Sequence, residues 1–296
     1  MTRPLRFLVT GQKGQVVTAL GERAPDGVEV LTLGRPELDL ADPASIRDAF
    51  DGETADVVVN AAAYTAVDKA ESQLELALRV NGEGAGLVAE EARRLGAPII
   101  QLSTDYVFDG SLERPYREDD AVAPLGIYGV SKFMGEEAVA AANPRHVILR
   151  TAWVYSPFGA NFVKTMLRLG ETFDEVRVVA DQRGSPTSAL DIADAIYAVG
   201  LRVLARPGAE DYGVFHLTGA GEATWAEFAE AIFHEAQGFG RKPVKVTPIP
   251  TAHYPTPARR PANSRLDGAR LARVYGIRPP PWRNSLKPVV ARLLEV

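Results

Sequence analysis

Apolar residues in the first two thirds of the chain fall in short unbroken runs: Leu5–Thr10, Val28–Leu33, Val57–Val59, Pro98–Ser103 and His146–Arg150. A run with no polar face suits a strand covered on both sides, as in a parallel sheet. Helix-like segments separate the runs, at Gly14–Arg23, at Asp42–Phe50 with Asp42 as cap and Pro43 in the first turn, and at about Asp68–Leu95. Inside that last segment Asn81, Gly82, Gly84 and Gly86 weaken the helix and suggest close packing against a partner or the sheet. Further on, Asn161–Leu169 reads as a helix, Val176–Ala180 as a sixth strand, and Ala189 to about Leu204 as a long helix capped by Ser188 or Thr187. This alternation predicts an α/β fold with a doubly wound parallel sheet.

The alternation weakens after Leu204. Tyr212–Leu217 is strand-like, and Thr224-Trp225-Ala226-Glu227 is a capping box opening a helix to Ala236. Pro243–Pro261 holds six prolines and must be largely extended. Short helices near Leu266–Val274 and Ser285–Leu294 close the chain. A length of 296 residues suggests about two domains.

Composition narrows the class by exclusion. Hydrophobic content of 46% and charged content of 24% are ordinary for a soluble enzyme. A net charge of −5 without a long basic run argues against nucleic-acid binding. No apolar stretch approaches a bilayer's width, and the first glycine comes too soon for a signal peptide, so a cytoplasmic location is expected. The chain has no cysteine, which excludes disulfides and thiolate chemistry, and its four histidines are not spaced as metal ligands, so no metal is expected.

Chemistry concentrates at the ends of the predicted strands. Gly11-Gln12-Lys13-Gly14 follows the first strand and opens a helix, the arrangement in which backbone N–H groups meet a pyrophosphate. Gly34-Arg35 follows the second strand where an acid would favour NAD; an arginine there points to NADPH and leaves NADH open. Small residues follow the third strand, at Asn60-Ala61-Ala62-Ala63, and leave room for a flat ligand. Thr104 ends the fourth. Tyr128 and Lys132, four apart, share one face of a helix. A phenol beside an ammonium makes a usable proton donor, because the positive charge favours phenolate. Trp153, just past the fifth strand, suits either the wall of a sugar site or a buried core position.

With these residues in view, the chain resembles the extended short-chain dehydrogenase/reductase superfamily, and within it the dTDP-4-dehydrorhamnose reductases. The resemblance rests on Asn60–Asp68, Ser103–Gly110, Tyr128–Lys132, Arg150–Tyr155, Gly184–Thr187 and Arg260–Ser264, in this order along nearly the whole chain. It implies a Rossmann domain, residues 1–155 plus about 176–204, and a smaller C-terminal α/β substrate domain, about 156–175 plus 205–296. It also implies reduction of the 4-keto group of dTDP-4-dehydro-L-rhamnose by NADPH or NADH. Carried over by position, Tyr128 is the proton donor. Lys132 lowers its pKa and holds the nicotinamide ribose, and Thr104 orients the carbonyl. Asp105 and Trp153 contact the sugar. Gly11, Gln12, Lys13, Gly14, Gln15 and Val16 surround the pyrophosphate, Asp39 and Leu40 the adenosine, and Ala62, Ala63 and Thr65 line the cofactor. Val17 stands where the pattern has a third glycine, so a slightly displaced helix is expected.

Two rival readings share the fold. A nucleotide-sugar dehydratase or epimerase would carry an acid and then a glutamate after the threonine, whereas Tyr106 follows Asp105 here. A cofactor-binding regulatory protein, resembling the regulatory subunit of methionine adenosyltransferase, would not need Thr104, Tyr128 and Lys132. The expected partner is a small sugar nucleotide, and a homodimer is left open.

Overall fold

The computed structural model of the protein describes residues 3–295 apart from residue 207. The amino-terminal part alternates as expected. Strands β1 (Leu5–Thr10), β2 (Val28–Leu33), β3 (Val57–Asn60), β4 (Ile99–Thr104) and β5 (His146–Thr151) are connected through helices α1 (Gln15–Arg23), α2 (Pro43–Phe50), α3 (Val67–Ala70), α4 (Leu74–Leu78), α5 (Gly84–Arg94) and α6 (Ile127–Ala142). Two-residue strands β6 (Val154–Tyr155), β8 (Arg183–Gly184) and β9 (Thr187–Ser188) follow. Between and after them lie α7 (Phe162–Thr172), β7 (Glu175–Val179) and α8 (Ala189–Ala205). The chain ends with β10 (Gly213–His216), β11 (Ala223–Thr224), α9 (Trp225–Gln237), β12 (Lys245–Ile249), α10 (Ala269–Tyr275) and α11 (Trp282–Leu294).

The main sheet has six strands in the order β10-β5-β4-β3-β1-β2, all parallel. The order reverses direction between β1 and β3, and every strand's carboxyl end lies on one edge. One face of the sheet packs Phe7, Val9, Val147 and Leu149 on α1 and α8. The other packs Leu8, Val58, Ile99 and Ile148 on α2, α5 and α6. Double coverage explains why the strands read as unbroken apolar runs.

The sixth strand of this sheet is β10. Residues 175–179 instead pair in parallel with β12, forming a separate two-stranded sheet. The sequence Glu-Val-Arg-Val-Val alternates exposed and buried positions, so it can cover only one side, and a strand between two helical layers cannot expose every second residue. Val176 and Val178 pack with α7, α9 and α11 around Phe228 and Trp282.

The segment expected as one helix from Asp68 to Leu95 is broken into α3, α4, a π-helical turn at Arg79–Glu83 and α5. Asn81 sits in that turn. Its Oδ1 accepts from Tyr64 N at 2.8 Å, and its Nδ2 donates to Tyr64 O at 3.0 Å and Ser131 Oγ at 2.9 Å. The glycine of α6 at 135 lies directly on Asn81 O, with no room for a Cβ. The weak helix is thus a close seam between α5 and α6.

The cap signals behave as read. Asp42 accepts from Ala44 N, Ser188 accepts from Leu190 N, and Thr224 and Glu227 form a reciprocal box.

Candidate active site

The site gathers on the carboxyl edge of the sheet, where loops after five strands converge. After β1, Gly11 adopts φ +103°, a conformation costly for any residue with a Cβ. Val17 fills the space beside it, so the packing role of a third glycine passes to a side chain against a bare turn. After β2, Gly34 lies against Gln12, where an added Cβ would come within 2.9 Å of Gln12 Cγ. This sets Arg35, exposed and without an ion pair among the described residues, beside the glycine turn.

Several side chains assigned to the cofactor turn elsewhere. Gln15 Oε1 accepts from Ser156 Oγ at 2.8 Å and Asn161 Nδ2 at 3.1 Å, tying the turn to the start of α7. Val16 and Leu40 are core residues, and Asp39 Oδ1 caps Ala41 N at 2.9 Å. The side chains of Val16 and Leu40 belong to the fold; what Gly11, Gln12, Lys13, Gly14 and Gln15 share is the open turn itself. Ala62 donates its N–H to Thr10 Oγ1 at 3.2 Å, with Ala63 half-buried and Thr65 exposed beyond it.

The candidate reacting groups lie after β4 and on α6. Thr104 Oγ1 donates to Asp105 Oδ1 at 3.0 Å and accepts from Tyr106 N at 3.2 Å. The Tyr106 ring meets Tyr128 edge-on at 5.5 Å, and Gly129 fits under Tyr106 O, so the two rings fix each other. Burial raises the Tyr128 phenol above its ordinary value, while the Thr104 hydroxyl beside it favours phenolate. The expected lowering by Lys132 is absent, because burial outweighs every other influence and the ammonium is engaged below, donating to Leu102 O at 2.7 Å. Burial pulls Lys132 itself down to about 8, opposed by Glu136.

Asp105 is 3% exposed, and its Oδ2 makes no close hydrogen bond among the described residues, the Ser264 hydroxyl acting on the carboxylate only from longer range. Burial pushes its carboxyl up to about 6, against the hydroxyls of Ser264 and Thr104. A buried, half-satisfied carboxylate is costly unless something donates to it. Trp153 has φ +50°, an outlier for a bulky residue. Its ring stacks on Trp225 at 3.5 Å and 8° and abuts Gly184, where a Cβ would fall 2.5 Å from Nε1.

Sequence reading passed over a buried ion pair beneath the site. Glu136 continues the Tyr128 and Lys132 stripe by one more turn. It accepts from Arg150 Nε at 2.9 Å, Arg150 Nη2 at 2.6 Å and Ser103 Oγ at 2.5 Å, with both charged side chains about as buried as the core. An arginine ending an apolar strand was the available signal. Arg260 and Ser264 were noted only as part of a motif. Arg260 donates to Tyr106 Oη at 2.8 Å and Asp68 Oδ2 at 2.9 Å, so the carboxyl-terminal segment closes over the β4 loop.

Known proteins share this fold. The family described as RmlD substrate binding domain matches residues 5–295. A dTDP-4-dehydrorhamnose reductase of Sinorhizobium fredii is 51% identical over 290 residues, 98% of either chain. The crystal structure of a dTDP-4-dehydrorhamnose reductase from Clostridium acetobutylicum superposes with a TM-score of 0.90 at 40% identity, covering 99% of this chain and all of that one. Another, from Bacillus anthracis in complex with NADP, gives 0.89 at 34% identity over 97% of this chain and 98% of that one. The match extends over α7, α9 and α11 as well as the main sheet, and the chain belongs to the dTDP-4-dehydrorhamnose reductase family.

Proposed function

We propose that this protein reduces the 4-keto group of dTDP-4-dehydro-L-rhamnose with NADPH, giving dTDP-L-rhamnose. The observation that carries the reading is the Tyr128 phenol held beside Thr104 over a buried Lys132, next to an Asp105 carboxylate with a free oxygen. The residues present suit a dinucleotide: a left-handed Gly11, a Gly34 packed against the glycine turn, and an arginine at 35 without an ion pair among the described residues. The backbone of the 11–16 turn would take the pyrophosphate and Arg35 a ribose phosphate. When bound, the nicotinamide supplies the hydride.

The protein's part is protonation and placement. The Tyr128 phenol carries its proton at neutral pH as any phenol does, and gives it to the oxygen that gains charge as the carbonyl is reduced; burial makes that transfer harder, so its geometry beside Thr104 has to favour it. Thr104 holds that oxygen near the phenol. Lys132 spends one N–H on Leu102 O, leaving two for the ribose hydroxyls. Asp105 Oδ2 is an acceptor for a sugar hydroxyl, and Trp153 walls the same pocket. We place the substrate side in the layer formed by α7, β7, α9, β12 and α11, and the reaction in the cytoplasm, where a chain without cysteine is at home.

Tyr106, bonded to Arg260, follows Asp105 in place of the glutamate expected of a dehydratase, which weighs against that reading. The test is coupled turnover with NADPH and with NADH on dTDP- and UDP-linked 4-keto sugars. Oxidation of NADPH with the dTDP substrate, faster than with NADH, is expected. Unchanged absorbance with authentic substrate would leave a cofactor-binding regulatory protein.

A further inference from the structure

Lys132 is held by a row of buried polar side chains that crosses three strands. Thr10, Asn60 and Gln101 are lateral neighbours on β1, β3 and β4, on the sheet face toward α6. Thr10 Oγ1 donates to Asn60 Oδ1 at 2.5 Å, and Asn60 Nδ2 donates to Gln101 Oε1 at 2.7 Å. Gln101 Nε2 then donates to Leu102 O at 2.8 Å, the carbonyl that also takes the Lys132 ammonium. At the far end Thr10 Oγ1 accepts the N–H of Ala62. All three side chains are at most 2% exposed. Each amide has one orientation that satisfies both neighbours, so the row is locked from end to end.

Leu102 O is available because β3 stops at Asn60, in register with Gln101, and places no residue opposite Leu102. Buried carbonyls need partners, and here the partners are two side chains. We infer that Gln101 is a positioning residue for Lys132: by sharing Leu102 O with the ammonium, it fixes where the remaining N–H groups point and couples Lys132 to the Ala62 turn. The inference rests on the reductase reading for Lys132's role. Buried charged groups on this side of the sheet include Lys132 and Glu136 of α6 and Arg150 of β5, the last two paired with each other, and Asp105 lies just past the end of β4.

Two substitutions test it, Gln101→Glu and Gln101→Leu, in the full chain. The readouts are NADPH affinity by fluorescence titration, turnover from about pH 5.5 to about pH 9, and melting temperature. A protonated glutamic acid has the shape and donor of glutamine; an ionised one still accepts from Asn60 but cannot donate to Leu102 O. Gln101→Glu is therefore expected to approach wild-type affinity and turnover at low pH and to lose about tenfold or more as its carboxyl ionises. That limb has the opposite sign to the acid-side loss imposed by Asp105. Gln101→Leu should lose a similar factor at every pH. If Gln101→Glu only lowers the melting temperature, with NADPH affinity within about twofold of wild type and no new limb, the inference fails. Should Gln101→Leu not fold, the isosteric variant decides alone. Should wild type not turn over the keto sugar, the reductase reading fails instead, and NADPH affinity against pH still decides this one.

Discussion

Replacing Lys132 by methionine separates what the residue does for the reaction from what it costs the fold. A lysine pulled from 10.5 to about 8 by burial carries a penalty of about 3 kcal/mol when charged. Its hydrogen bond to Leu102 O returns about 1.5–3 kcal/mol. Methionine keeps the apolar stem and removes both effects. Lys132→Met should then lie within about 1.5 kcal/mol of wild type at neutral pH, on the stabilising side, while losing about 10² or more in turnover with weaker NADPH binding. The pH dependence is the sharper test. Between about pH 8 and 10.5 the folded lysine has released its proton and the unfolded one has not. The unfolded state binds more protons there, so wild-type stability rises with pH and the variant has no such gain. Wild type should gain about 2 kcal/mol on the variant between about pH 7 and about pH 9.5, or roughly 4 °C in melting temperature for a chain of this size. Thermal unfolding of both cofactor-free proteins across this range measures it. A difference that stays flat with pH, or a variant more than about 3 kcal/mol less stable at pH 7, would refute the account of Lys132 as a buried, charged group.

Tyr128→Phe removes only the phenol hydroxyl, the proposed proton donor, so turnover should fall by about 10²–10⁴ with NADPH affinity within a few-fold; equal loss of both would make the residue structural. With Asp105 titrating at about 6, activity should decline as pH falls through that value, because protonation removes the acceptor for the sugar. Asp105→Asn should erase that limb and raise KM for the sugar nucleotide, and a surviving limb in the pH–rate profile would assign it to another group. Gly184→Ala pushes a Cβ into the Trp153 ring, so KM for the sugar nucleotide should rise and stability drop by about 1–3 kcal/mol, with NADPH titration unchanged. An unaltered KM would mean that the Trp153 ring does not shape the sugar pocket.

Local chemistry was legible before any coordinates. The unbroken runs at Leu5–Thr10 and Val57–Val59, the Asp42-Pro43 and Thr224–Glu227 caps and the proline-rich segment each follow from rules acting over a few residues. The one-turn spacing of Tyr128 and Lys132 does so as well. The chain also offered Thr104, Asp105 and Trp153 as site candidates, since they stand at the strand ends where a parallel sheet presents ligands. Tertiary structure decided what the linear pattern leaves degenerate. Glu-Val-Arg-Val-Val forms a strand in either setting, and only packing against α9 rather than between two helical layers took it out of the main sheet. The state of the reacting groups was likewise decided in three dimensions. Whether an ammonium four residues away lowers a phenol's pKa depends on how deeply both are buried and on what else holds the ammonium. Leu102 O is adjacent to Lys132 only because β3 ends one residue short of it. Covalent neighbours determine propensity and spacing; desolvation and partner choice come from residues far apart in sequence, such as Glu136 and Arg150, that only the folded chain brings together.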